Sequence, residues 1–323
     1  MLSCLSVTFQ KMIALVVQLA CAYAMSLVYD SFVHPYNIFY GDMRFDFAFA
    51  VENPHSFLQN TIQSMTMIVK DPNLTYKFAI VYALILSQYI VISEAIDYVA
   101  STFYESVPYL NTERRPQKNR IGRAKGYTIY ALRWIIPVFC GYIFWFHPMF
   151  IHYEQRDLSL RYYTWLGCHV QLSLIFADLF YGAWHHLQHK WKSIYYLTGH
   201  DYHHQFHFPY AREGTWLGFI DLWVSASLIG FVNIFASSLI MGKLTVLELF
   251  LELGLVHEMN GCDHCGKVLP FHSGVPFFPF LSKLLGFDKS VQAHEAHHNL
   301  GRLSYGLLGL YDRIAGTSHY AKV

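Results

Sequence analysis

Charge is scarce in this chain. Asp, Glu, Lys and Arg make up 14% of 323 residues, and the formal net charge is +1. A nucleic-acid partner would call for a strongly basic face, which this balance does not supply. Cysteine does not organise the chain either. Cys4, Cys21, Cys140, Cys168, Cys262 and Cys265 are scattered, mostly in apolar segments, and read as incidental or buried thiols rather than a disulfide framework. Cys262 and Cys265 form a C-x-x-C around His264, but a zinc ribbon needs a second such pair and the sequence has none. Low-complexity tracts and flavin or nicotinamide motifs are also lacking. No module of ~100 soluble residues is expected to serve as a built-in electron carrier.

Apolar residues, in contrast, make up 54% of the chain and aromatics 18%. They gather in blocks near residues 12–29, 77–93, 129–151, 163–181 and 216–256, each near or above the ~20 residues a bilayer helix needs. The last is long enough for two helices with a bend at Met241-Gly242-Lys243. The block 163–181 carries His169, Gln171 and Asp178, and polar groups at membrane depth face a protein interior or a site. The expected fold is an all-α integral membrane protein, a multi-span helical bundle. Residues 1–162 read as a membrane-spanning region and residues 163–323 as the part that carries chemistry.

Topology follows from charge. Residues 111–126 hold Arg114, Arg115, Lys118, Arg120, Arg123 and Lys125 against the single acid Glu113, and a short basic loop beside spans marks the cytosolic side. Residues 30–77 hold five acids, three bases and the sequon Asn73-Leu74-Thr75, as expected of the lumenal face. Lys11, the apolar run after it and Ala22-Tyr23-Ala24 fit a signal peptide or a retained signal anchor, and both place residue 30 onward in the lumen. Counting spans gives a lumenal link near residues 152–161 and puts the chain in the cytosol before His185.

Thirteen of the nineteen histidines fall between His185 and His298. Most belong to three boxes: His185-x-x-x-His189, His200-x-x-His203-His204 and His294-x-x-His297-His298. Positions i, i+3 and i+4 share a helix face, so each box is expected to point two or three imidazoles at one spot. Neutral imidazole suits iron, zinc, copper and nickel, and these eight rings exceed what one metal binds. Two neighbouring metals are the reading, in a histidine-rich cap at the cytosolic end of the bundle. A pH sensor or a histidine-rich surface would not repeat one box twice. His186 points away from the shared face of its box. Asp178 is placed to hold the outer N–H of a ligating histidine or to make an interhelical hydrogen bond. His34, His55, His147 and His152 lack box spacing and read as interfacial or packing residues.

Taken in order, the motifs resemble a family. They are Asp178-x-x-x-Tyr-x-x-His185-x-x-x-His189, Gly199-His200-Asp201-Tyr202-His203-His204, Asp263-His264-Cys265-Gly266, His294-Glu295-Ala296-His297-His298, Tyr305-Gly306 and Tyr311-Asp312-Arg313-Ile314-Ala315-Gly316-Thr317. Over about residues 170–317 this set is similar to the fatty acid hydroxylase superfamily, also called the sterol desaturase family. Where the family pattern has Arg, Ser and Trp, this chain has His186, Cys265 and Tyr311, and Tyr210-Ala211 runs on to Arg212-Glu213. None of these departures removes a box histidine.

The resemblance implies that residues 163–323 are a fatty acid hydroxylase domain in an endoplasmic-reticulum membrane enzyme. It implies metal ligands at His185, His189, His200, His203, His204, His264, His294, His297 and His298, holding two iron ions that zinc can replace. His257, two turns before His264, is a candidate tenth ligand; His207, His272 and His319 read as peripheral, and Asp312 and Arg313 as structural support. The family's chemistry uses molecular oxygen and electrons from cytochrome b5 or its reductase to hydroxylate or desaturate a sterol, fatty acyl chain or sphingoid lipid drawn from the bilayer. Phe176, Phe180, Trp184, Phe206, Phe208 and Trp216 are candidates to line the lipid path, against ordinary packing. An acyl-lipid desaturase is the alternative within enzymes, although its first box has one more intervening residue. Outside enzymes the alternatives are a metal transporter, whose ligands would lie mid-membrane, and a catalytically dead lipid-binding scaffold, which would be expected to lose box residues.

Overall fold

The structure, a computed structural model, describes residues 7–32, 69–110, 122–145, 151–152, 159–206, 209–270 and 289–319, with residues 59 and 66. Most of the basic segment 111–126, together with His34, His55, His147, His207, Phe208 and His272, lies outside the described residues.

The long apolar blocks form long helices: α1 (Val7–Phe32), α2 (Pro72–Thr102), α3 (Arg123–Trp145) and α4 (Leu160–Lys190). Local chemistry sets their starts. Asp71 caps α2 by accepting the N–H of Asn73 at 2.8 Å, and Pro72 supplies a pre-set first turn. Short helices α5 (Lys192–Thr198) and α6 (His200–His204) follow. The block 216–241 becomes α7 (Phe219–Leu222), a π-helical turn at Trp223–Leu228, and α8 (Ile229–Met241). After the bend, α9 (Val246–His264) begins at a capping box in which Thr245 and Glu248 each accept the other's backbone N–H. The described chain ends with α10 (Ser290–Leu300) and α11 (Leu310–Ala315). Two-residue strands β1 (Ile151–His152) and β2 (Leu244–Thr245) pair in parallel.

Among the described residues, four helices are long and apolar enough to cross a membrane: Phe9–Phe32, Pro72–Thr102, Leu160–Lys190 and Phe219–Met241. Their outward residues include Val16, Val17, Val91, Leu239 and Ile240, all exposed, as lipid-facing positions are. The expected blocks 129–151 and the second half of 216–256 give helices α3 and α9 that are not in that set. The physical reason is plain for α9. It carries Glu248, Glu252, Glu258 and Asp263, all buried, and packs against α1, α2, α4 and α10. Its surroundings are protein, and hydropathy alone does not separate a protein interior from a bilayer.

One end of the bundle gathers the C-terminal ends of α2, α4 and α9 with the N-terminal ends of α3 and α7. Asp97 in α2 pairs with Arg212 at 2.8 Å, and Gly126 in α3 lies against the ring of Trp216. The other end holds β1, β2 and the turn after α8, where the indole N–H of Trp165 donates to the carbonyl of Met241 at 2.7 Å.

Candidate metal centre

All nine expected ligands lie at the first of these ends, and they sort into two groups. His185, His189, His200, His204 and His297 form one; His203, His264, His294 and His298 form the other. Within each group the candidate donor atoms lie within 4.8 Å of one another. The groups touch, since the ring of His204 stacks on that of His298 with centroids 5.0 Å apart.

This sorting corrects the expectation that a box can aim three rings at one spot. His200 and His204 share a group but His203 joins the other, and His294 and His298 share a group while His297 crosses over. Helix geometry gives the reason. At about 100° per residue, i+4 lies about 40° from i on one side and i+3 about 60° on the other, so i+3 and i+4 diverge by about 100°. Each i, i+4 pair therefore serves one group and each i+3 ring reaches into its neighbour. The second and third boxes tie the two groups into one unit.

Backbone turns set these positions. Gly199 adopts φ 75° between α5 and α6, and a Cβ there would meet the Cα of Gly218 at 2.9 Å. Only glycine combines that backbone with that approach, which brings His200 onto the start of α7. After α10, Gly301, Leu303 and Ser304 all have positive φ, at 61°, 69° and 56°. Two of these are not glycine, an uncommon arrangement that clusters at functional sites. The turn delivers two carbonyls to the site: the Nδ1 of His297 lies 2.8 Å from the oxygen of Leu303, and that of His185 2.9 Å from the oxygen of Tyr305. At the end of α9, the Nδ1 of His264 lies 2.6 Å from the oxygen of Asn260.

Asp221 completes this outer layer. Its Oδ2 lies 2.6 Å from the Nδ1 of His200, and its Oδ1 accepts from Gln188, Trp184 and Ser225 at 2.8, 3.2 and 3.1 Å. Sequence reasoning missed this residue. The available signal was a single carboxylate in the apolar stretch after Trp216, since a lone acid at such a position marks a site.

Four Nδ1 atoms thus face pure acceptors, which fixes those rings with the proton outward and the Nε2 lone pair inward. The inward atoms crowd together. The Nε2 of His189 lies 3.1 Å from that of His200 and 3.0 Å from that of His204, which is 3.1 Å from that of His297. In the second group the spacings are 2.9 Å for His264 and His294, 3.1 Å for His294 and His298 and 3.3 Å for His203 and His264. Among the described residues, the Nε2 of His185 is buried with no hydrogen-bond partner. Lone pairs held this close repel unless a cation lies between them. Metal–nitrogen bonds of about 2.1 Å at angles near 90–105° would set nitrogens about 3.0–3.3 Å apart. The donor set therefore fits a metal in each group.

Electrostatics agree. Burial, reinforced by neighbouring rings, pushes the pKa values of His203, His204, His294 and His298 well below the ordinary histidine value, and burial takes His297 to about 3. The rings are held neutral, the form that coordinates metal.

The remaining expectations divide. His186 points away, as expected: its ring stacks on Tyr305 at 4.6 Å and its Nδ1 lies 2.9 Å from the hydroxyl of Tyr311. His257 is in neither group and lies against Tyr89 and Trp134. Asp178 holds no histidine; it accepts the backbone N–H groups of Leu308, Gly309 and Tyr311 at 2.6–3.1 Å. Asp312 accepts those of Tyr305 and Gly306 and the hydroxyl of Thr317, whereas Arg313 is exposed. Together the two aspartates fasten the loop whose carbonyls hold His185 and His297. His319 donates its backbone N–H to Ser304. Phe206 packs on Trp216, Phe176 on Phe180, and the indole N–H of Trp184 donates to Asp221.

Known proteins add no identification: no protein-family model, no curated protein and no solved structure matches the chain.

Proposed function

We propose that this protein is a membrane-bound di-iron oxygenase that hydroxylates or desaturates an apolar lipid, a sterol, fatty acyl chain or sphingoid lipid, as its resemblance to the fatty acid hydroxylase superfamily implies. The observation that carries the reading is the sorting of nine neutral imidazoles into two touching groups, with outer nitrogens tied down and inner nitrogens crowded together. A histidine-rich surface or a pH sensor has no need of that arrangement. Bound there, iron would supply the activation of molecular oxygen that breaking an unactivated C–H bond requires.

The chain's own residues do the rest. His185, His189, His200, His204 and His297 would hold one ion, and His203, His264, His294 and His298 the other. Asp221, Asn260, Leu303 and Tyr305 orient the ligands through their outer N–H groups. The helices around the centre exclude water and bring an apolar substrate to it from the bilayer. Electrons come from an external donor, cytochrome b5 or its reductase.

The reading places the protein in the endoplasmic-reticulum membrane with the histidine groups and the N-terminus cytosolic. In support, the ends of α2 and α3 that flank the basic segment lie at the histidine end of the bundle, while Asn73 is exposed at the other end of α2.

The deciding experiment measures metal and turnover together. Purified protein should carry two metal ions per chain, iron in the active form or zinc after overexpression. It should also convert the lipid that accumulates in a null mutant, given O2 and an electron donor. One ion or none in folded protein removes the di-metal reading. Two ions without O2-dependent turnover would favour a metal-binding scaffold.

A further inference from the structure

The wall beside the first histidine group is inverted: its polar contacts point inward and its apolar side chains point out. Two short helices make it. α5 sets Tyr195 against His189 and His200, with ring centroids 5.3 and 5.5 Å apart, and the hydroxyl of Thr198 accepts from Gln188 at 2.9 Å. α7 sets Asp221 on the Nδ1 of His200 at 2.6 Å. On the outer side of α5, Leu197 is 71% exposed and Tyr196 64%, and Trp191, just before the helix, is 50% exposed. On the outer side of α7 and the turn after it, Phe219, Ile220 and Trp223 are exposed.

Helix geometry accounts for the split. At about 100° per residue, Lys192, Ser193, Tyr196 and Leu197 fall on one half of α5, with Tyr195 and Thr198 on the other. All four residues of the first set are exposed.

The two outer faces make one surface. Gly199 follows α5 and Gly218 precedes α7, and a Cβ on Gly199 would meet the Cα of Gly218 at 2.9 Å. The two helices pack on each other. α7 is also the first turn of Phe219–Met241, one of the helices long and apolar enough to cross a membrane, and exposed Leu228, Leu239 and Ile240 lie further along it. The apolar face of α5 is therefore continuous with a lipid-facing span.

Water solvates such a face poorly, and an exposed apolar patch of this kind marks a partner or a membrane. Its composition favours the membrane. Trp and Tyr are enriched where headgroups meet acyl chains, and a lysine beside them keeps its ammonium among the headgroups. Residues 190–201 carry Lys190 and Lys192 against the single acid Asp201, a balance that suits anionic phospholipid.

We propose that α5 lies in the headgroup layer of the bilayer at the histidine end of the bundle, with Trp191, Tyr196 and Leu197 set into phospholipid. The helix is then the partition between the first histidine group and the membrane, with Tyr195 on one side and Leu197 on the other. The inference rests on the membrane setting of the apolar helices and takes nothing from the oxygenase reading.

The test uses purified full-length protein in vesicles of phosphatidylcholine and phosphatidylserine. First, phosphatidylcholine with a diazirine on the acyl chain near the headgroup is photolysed, and adducts on the unaltered protein are located by peptide mass spectrometry. Adducts should fall on residues 191–197 and 219–223. Their absence from 191–197 overturns the proposal, whatever is found along the span.

Second, the fluorescence lost in Trp191→Phe isolates the signal of Trp191 among the seven tryptophans of the chain. Lipid brominated near the headgroup should quench that signal more than lipid brominated near the methyl end. Stronger quenching from the methyl end overturns the proposal. So does quenching by aqueous iodide with none by either lipid, which would leave a soluble partner as the occupant of the patch. If Trp191→Phe fails to fold, the adduct map on the unaltered protein decides. Two metal ions and O2-dependent turnover beside an unlabelled α5 would remove this inference alone, and failure of turnover would leave the adduct map standing.

Discussion

Asp221→Asn should empty one metal site and spare the other. The carboxylate accepts four hydrogen bonds, from His200, Gln188, Trp184 and Ser225. Asparagine keeps the shape but offers one acceptor oxygen and an NH2 group. If that oxygen faces His200, the NH2 group is turned on the donors of Gln188 and Trp184. If it faces those donors, the NH2 group meets the Nδ1 of His200, moves the ring proton to Nε2 and disables that ligand. Either way the first group holds its ion less well. Losing an outer partner of this kind typically costs roughly 10- to 100-fold in metal affinity, or about 1.4–2.7 kcal/mol. The second group takes no support from Asp221: His264 is held by Asn260, and the four rings converge on their own. The assay is metal analysis by mass spectrometry across a chelator titration. Wild-type protein should lose its two ions over a narrow range, whereas the variant should release one at roughly 10- to 100-fold lower chelator and then hold at one. Two ions with wild-type chelator resistance would refute the argument that Asp221 sets the His200 ring. Loss of both together would refute the independence of the groups.

Three further outcomes follow from the same geometry. His203→Ala and His204→Ala, adjacent in sequence, should weaken different sites, so that the double variant is additive in metal loss; identical metal-release profiles for the two single variants would contradict the angular sorting of the boxes. His264→Ala should lower metal content and activity together, while His257→Ala, against Tyr89 and Trp134, and His186→Ala should keep full metal occupancy by elemental analysis. Metal-free protein should lose stability in acid over a defined window. Folded His297 stays neutral down to about pH 3 whereas an unfolded histidine protonates near 6.5, so the unfolded state binds more protons between those values. Denaturant midpoints should be level above about 6.5 and fall steadily below it, and a flat profile from pH 7 to 4 would contradict the burial of neutral rings.

Much of the helical layout was legible because lipid-facing and core-facing helices both write apolar blocks into the sequence. Residues 246–256 read as the return arm of a membrane hairpin; their helix does run back from the bend at Gly242 to the histidine end, and it continues to His264 with four buried acids that hydropathy alone did not foretell. One oxygen of Glu248 accepts at the cap from Thr245, and one oxygen of Glu252 faces His169. Those partners lie outside any window that scores hydropathy. Asp178 was legible as a functional acid by its place two turns before His185. Its role was not, because the three N–H groups it accepts come from a loop 130 residues later.

The metal centre shows where local pattern stops being informative. Spacing names the residue types and the shared helix face, and the i, i+4 pairs keep that promise. Whether the i+3 ring joins its own pair or the neighbouring group depends on where the other helices stand, and that is a tertiary fact. The outer layer is harder still. Three of its acceptors are main-chain carbonyls, and two of these are aimed by a turn in which Leu303 and Ser304 adopt positive φ. Nothing in a leucine or a serine announces that conformation. It persists because Asp312 grips the next two N–H groups and the N–H of Ser304 donates to Thr317 at 2.9 Å. The closing motif around Tyr311 thus acts at a distance on the histidines: it holds the backbone that holds the rings. Asp312→Ala should therefore behave as a metal-site variant although it touches no histidine. It should release its first ion at lower chelator than wild type, with the site built on His185 and His297 the one affected. Unchanged chelator resistance would mean that the strained turn is self-supporting.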